Sequence, residues 1–187
     1  DSESAQLKRK RDNMLRFMRE NKVPNELSDR ILQYYAYRWD SSSSFNGLWD
    51  DLSVSLRTSL NAAVMKRCLD KCPLFEDLSS AFIVSLSNVL ADQLIVLIPG
   101  EIIFKEGDGG NAMYFVNRGE VTIFKVNPNT KAHVAITKIS PGGFFGEVAI
   151  VHHTVRAAGA KAKTFCELYV LESNKLDLLL QNYPQFK

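Results

Sequence analysis

The sequence predicts an α+β protein: amino-terminal linker helices followed by a β-roll, a double-stranded, jelly-roll-like barrel with flanking helices. Three observations predict it. Nine of the ten glycines lie between Gly100 and Gly159, and Gly47 alone precedes them, so tight turns gather in the second half. Apolar residues of the first half recur at helical spacing. The second half instead holds short β-rich runs at regular intervals, the pattern of a sandwich or barrel.

The elements follow in order. Residues 4–22 carry Leu7, Met14, Leu15 and Met18 among many charges, a narrow apolar stripe on a polar helix. In "VPNELSDRILQYYAYRW", Pro24 suits a first helical turn, and Leu27, Ile31, Tyr34 and Tyr35 share a side. The tract Ser41-Ser42-Ser43-Ser44 reads as a loop. Leu48, Leu52, Leu56, Leu60 and Val64 then recur every four residues, with Ser53 capping between two short helices, and Pro73 ends the unit. Leu78, Phe82, Leu86 and Val89 mark a helix ending near Asp92. Strands are expected in "QLIVLI", "EIIFKEGDGG", "AMYFVNRGEVTIFKV", "HVAITKI" and "CELYVLE". Leu176, Leu179 and Leu180 return to helical spacing behind a cap at Ser173 or Asn174.

Composition narrows the function. Hydrophobic content of 45% and charged content of 24% are those of an ordinary folded domain. No apolar run reaches the roughly 20 residues that cross a bilayer, and the charged start "DSESAQLKRKRDNM" lacks a secretory pattern. A net charge of +2 gives no footprint for nucleic acid, and Lys8-Arg9-Lys10-Arg11 reads as a solvated helix face. Cys68, Cys72 and Cys166 are odd in number and scattered, which suits buried thiols in a reducing compartment. Cys68 and Cys72 share a helix face but have no second Cys/His pair, so no metal site is expected. His133, His152 and His153 lack the arrangement of a metal-binding cupin, and no nucleophile stands with a base, so the chain does not read as an enzyme. Leu15, Phe17, Tyr35, Tyr37 and Trp39 exceed what a helical hairpin buries, which points to a second subunit; the alternative folds them inward in a monomer.

The segment "GGFFGEVAIVHHTVRAAGA", residues 142–160, sets one acid and one base ten residues apart among small and apolar residues. A short helix after Gly146 would present backbone N–H groups, those of Val148 and Ala149 among them, to an anion. Arg156 could bring a planar fork to the same anion, whereas Glu147 can accept hydrogen bonds from hydroxyls. Together they outline a phosphate close to a ribose. The alternative is that Glu147 and Arg156 pair with each other.

"FFGEVAIVHHTVRAAGAKA" resembles the phosphate-binding cassette of cyclic-nucleotide-binding domains, with the spacing from Gly146-Glu147 to Arg156-Ala157 unbroken. "PGEIIFKEGDGGNAMYFVNRGEV" resembles a second signature of that family, with Gly100, Gly107 and Gly119 at its turns. "VPNELSDRILQYYAYRW" and the leucine-spaced segment ending "CLDKCPLFEDL" resemble the C-linker of cyclic-nucleotide-regulated (CNG/HCN-like) cation channels. The resemblance implies a C-linker over residues 1–72 and a binding domain over 73–187, its roll at about 93–172. The family's lid helix would follow "NYPQF", beyond this sequence.

What the resemblance implies is specific. Arg156 meets the cyclic phosphate with backbone amides near Ala149 and Ala157; Glu147 and the Gly146 backbone hold the ribose 2′-hydroxyl. Ile123, Thr137 and Ile139 line the purine pocket, or else are plain roll core. The ligand is cyclic AMP, with cyclic GMP as a second. The partners are other subunits of a homotetramer and the chain's own transmembrane pore, at the cytoplasmic face of a membrane. Val155 stands for the family's proline, Gly159 for its threonine or serine, and Ala157 for the threonine that favours cyclic GMP. That last change tilts preference toward cyclic AMP by about 1 kcal/mol. Alternatives are a channel domain with a vestigial pocket, a kinase regulatory subunit, which would carry an inhibitor segment and a tandem roll, and a bacterial transcription regulator, which would carry a helix-turn-helix after the roll.

Overall fold

The computed structural model describes residues 2–45 and 51–184; Gly47, Leu48 and the stretch from Gln185 onward lie outside them. The chain divides into two compact units, residues 1–53 and 54–187.

The first unit is a helical hairpin of α1 (Ser2–Glu20) and α2 (Asn25–Phe45). Lys22 ends α1 in the left-handed region at φ 50°. Val23 N–H reaches Met18 O at 3.0 Å and Lys22 N–H reaches Arg19 O at 3.3 Å, the paired bonds that satisfy a helix's last carbonyls. The Pro24 carbonyl takes the first bond of α2 from Ser28 N–H at 3.0 Å. The helix then runs through Ser41–Ser44, which corrects the loop expected there. Serine opposes a helix only mildly, and α2 contains neither glycine nor proline. Met18 is buried, whereas Phe17 and Trp39 stay 57% and 45% exposed.

In the second unit α3 (Val54–Leu69) starts directly after Ser53. Its leucine repeat is helical but does not face the core: Leu56, Leu60 and Val64 are exposed, while Met65, Cys68 and Leu69 are buried. The core-facing residues sit in its final turns, where α3 packs on α4 (Ser80–Ala91). A 3-10 turn at Pro73–Phe75 links the two. The Ser79 side chain caps α4 by accepting from Phe82 N–H at 3.2 Å.

Eight strands form two antiparallel sheets. One has the order β1 (Leu94–Leu97), β8 (Cys166–Glu172), β3 (Ala112–Arg118), β6 (Phe144–Phe145); the other β2 (Ile102–Phe104), β7 (Gly159–Ala162), β4 (Val121–Val126), β5 (His133–Ile139). The fold is the expected α+β arrangement of helices and an antiparallel roll. Central β3 is buried on both faces. Met113 and Phe115 join Phe82, Leu86, Leu90 and Leu171 beneath the helices, and Val116 joins Val121, Ala160, Cys166 and Leu168 between the sheets. Each fully buried Val, Leu, Met or Phe among them contributes about 1.5–3 kcal/mol of transfer free energy. Strands β6 and β7 add to the runs expected from sequence. Two residues carry no periodicity, and "GAKA" is poor in strand-favouring residues.

Two further elements follow: α5 (Glu147–His152) and α6 (Ser173–Gln181). The cap of α6 falls on Glu172 rather than Ser173 or Asn174, without a side-chain cap bond, and the Ser173 amide donates to Asn111 O at 2.7 Å. Leu179 is buried and Leu176 and Leu180 pack beside it. All three cysteines are buried and free. Among the described residues no helix is long and apolar enough to cross a membrane.

Candidate functional site

The two glycine-rich motifs meet on Arg156. The turn after β2 passes through Gly107 at φ +88°, and its backbone clamps the arginine from both sides. Gly107 N–H donates to Arg156 O at 2.8 Å, Arg156 N–H donates to Asp108 O at 2.8 Å, and Gly109 bridges Val155. From the other direction, β6 leads into Gly146, whose φ of +84° turns the chain into α5; His153, at φ 51°, ends that helix and returns the chain toward Arg156.

The Arg156 side chain is 5% exposed. Its Nη1–H donates to Gly146 O at 2.8 Å and its Nη2–H to the carbonyl of Ala112. The guanidinium carbon lies 4.1 Å above the Phe104 ring centroid. Nε is buried without a hydrogen-bond partner. Burial pulls the guanidinium pKa down, against which Tyr114, Asp108 and Glu147 act to hold the charge. Gly110 makes the fit possible: a Cβ there would stand 2.2 Å from the Ala149 Cβ and 3.0 Å from Arg156 Nε.

Glu147 does not pair with Arg156. Among the described residues the two form neither a hydrogen bond nor an ion pair, so the mutual salt bridge open in the sequence is absent. The half-buried carboxylate acts on Cys72, before the Pro73–Phe75 turn, instead. Burial first, and then this negative charge, push the Cys72 thiol up to about 11.

A cavity of about 310 Å³ opens over this framework. Of the residues singled out from sequence, Gly146, Glu147, Val148, Ala149, Arg156, Ala157, Ile123 and Ile139 line it. Thr137 does not; it stands on edge strand β5 opposite Ile123 and is exposed. Phe104, Phe144, Phe145 and Thr154 also line the cavity and were not singled out. Phe104 lies inside a recognised motif, yet its partnership with Arg156 crosses about fifty residues of chain and leaves no local signal. Gly159, where the resemblance implies threonine or serine, has a packing reason. A Cβ there would meet the Phe124 ring at 2.4 Å, so glycine leaves room for a buried aromatic. Among the described residues no group of three or more His, Cys, Asp or Glu could hold a metal ion.

Residues 94–183 match the family model described as "Cyclic nucleotide-binding domain". Over the whole chain there is 28% identity to the human potassium/sodium hyperpolarization-activated cyclic nucleotide-gated channel 4. The mouse channel 2 of that name is 27% identical and the human channel 3 is 24% identical, again over the whole chain. The chain spans 15%, 21% and 23% of those proteins respectively. A roll with its cavity built on the cassette, a family match over that same roll, and relatives aligned from end to end agree. Residues 94–183 are therefore similar to the cyclic nucleotide-binding domain family, and the chain is similar over its full length to a segment of the hyperpolarization-activated cyclic nucleotide-gated channels.

Proposed function

We propose that the chain is the ligand-sensing region of a tetrameric cyclic-nucleotide-gated or -modulated cation channel, binding cyclic AMP and, more weakly, cyclic GMP. Residues 1–72 act as the C-linker and 73–187 as the binding domain, at the cytoplasmic face of the membrane. The observation that carries this reading is the buried Arg156, held by backbone carbonyls rather than by Glu147, in the wall of a 310 Å³ cavity. A buried cation with no carboxylate on it is poised for an anion. Glu147 is left to accept from the ribose 2′-hydroxyl. Amides of Val148, Ala149 and Ala157 complete the phosphate's surroundings, and Ile123 and Ile139 offer apolar surface to the purine. Thr137, opposite Ile123 on β5, is assigned to the purine as well.

Binding moves the gate by population shift: nucleotide favours the arrangement of roll and linker helices for which its affinity is greater, and only that difference reaches the pore. The exposed aromatics of the first unit, Phe17 and Trp39, with Leu15, Tyr35 and Tyr37, supply the contact to a neighbouring subunit. Calorimetry with cyclic AMP and cyclic GMP on ligand-free protein tests the pocket. Heat saturating with either supports it; none at millimolar ligand establishes a vestigial site.

A further inference from the structure

We propose that Phe104 is a positioning residue for Arg156, its ring face holding the guanidinium so that the unpaired Nε is presented to a bound phosphate. The inference rests on the reading that the cavity takes a cyclic nucleotide. Four observations carry it. The guanidinium carbon sits 4.1 Å from the Phe104 centroid, within the range where a ring face attracts a cation. Both terminal nitrogens already donate to carbonyls, of Gly146 and Ala112, which fixes the plane of the group. Nε is the one nitrogen without a partner and it is buried, a donor whose hydrogen bond is missing until an acceptor arrives. Phe104 and Arg156 both line the cavity that would hold the acceptor.

The ring is itself held in place. Phe104 pairs with Ala160 across β2 and β7, and its centroid lies 6.0 Å from those of both Tyr114 and Phe145, which stack on each other at 5.1 Å. Among the described residues no carboxylate forms an ion pair with Arg156. The ring's negative face takes part of that role. Unlike a carboxylate, it leaves the net positive charge for the ligand and offers no acceptor to compete for Nε.

Fluorinated phenylalanines at position 104 test this, because they keep the ring's shape while draining its negative face. Affinity for cyclic AMP should fall with each added fluorine, by about thirtyfold in all for a trifluorinated ring, the fold-change of a desolvated cation–π contact. Phe104→Leu should lose about the same, and Phe104→Trp should retain wild-type affinity. An affinity indifferent to fluorination overturns the proposal, whatever Phe104→Leu does, since packing alone is unmoved by fluorine. If the wild-type protein binds no cyclic AMP, the pocket reading fails. With no phosphate to meet Nε the positioning role then falls as well, whereas binding that is indifferent to fluorine overturns the positioning role alone.

Discussion

The Nη1–H of Arg156 donates to the carbonyl of Gly146 at 2.8 Å, so the arginine is tied to the backbone immediately before Glu147 and not to its carboxylate. One glycine carbonyl thus separates two opposite charges that the sequence alone would allow to neutralise each other. The left-handed φ of +84° at Gly146 brings its α-carbon so near Nη1 that a Cβ would stand 2.8 Å away.

Arg156→Ala should weaken cyclic AMP binding by roughly 2–4 kcal/mol, the scale for removing one member of a desolvated charge pair. Titration calorimetry on the two proteins reads it directly. An unchanged affinity would mean that the phosphate does not meet Arg156.

Ala157→Thr should strengthen cyclic GMP binding by about 1 kcal/mol, a neutral hydrogen bond's contribution, and leave cyclic AMP nearly unaffected. Ala157 is exposed at the rim of the cavity, so a hydroxyl can be added there without repacking. Competition between the two nucleotides measures the ratio, and a ratio that does not move counts against Ala157 as a selector.

Gly159→Ser, a change toward the family's usual residue, should destabilise this protein by about 1–3 kcal/mol, as overpacking does. The new Cβ would enter the Phe124 ring, 2.4 Å from its nearest atom. Phe124→Leu in the Gly159→Ser background should recover part of the loss, and urea midpoints of the single and double variants give the coupling.

Stability should fall as pH rises above about 9. The Cys72 thiol has an ordinary value of 9.0 and is pushed up to about 11 in the folded chain, chiefly by burial. The unfolded chain therefore loses its proton first. The contribution is fully present below pH 9 and is lost as pH climbs through 11. Cys68, Cys166, Tyr114 and Tyr169, all raised by burial, act in the same direction. Melting temperatures between pH 8 and 11 should decline less steeply for Cys72→Ala than for the wild type.

Much of the fold was legible in local pattern. Glycine punctuation separated the helical and β halves, and the leucine spacing found α3, α4 and α6. Periodicity marked α3 as a helix but not which side turns inward, because Met65, Cys68 and Leu69 face the core only where α4 and β3 cover them. The serine tract misled for a related reason: a mild local preference yields to a continuous helix when no glycine or proline interrupts it.

At the site, the sequence by itself determined the chemistry: one carboxylate and one guanidinium at unbroken cassette spacing, glycines where φ must be positive, and apolar residues to wall a pocket. Only the tertiary structure decided what each group touches. Phe104, the Gly110–Ala112 segment and Gly146 come from three places in the chain and converge on one side chain, Arg156. Their convergence is what leaves Glu147 unpaired and Nε without an acceptor. Hydrogen bonds and cation–π contacts act over a few ångströms of space, and distance along the chain does not encode them.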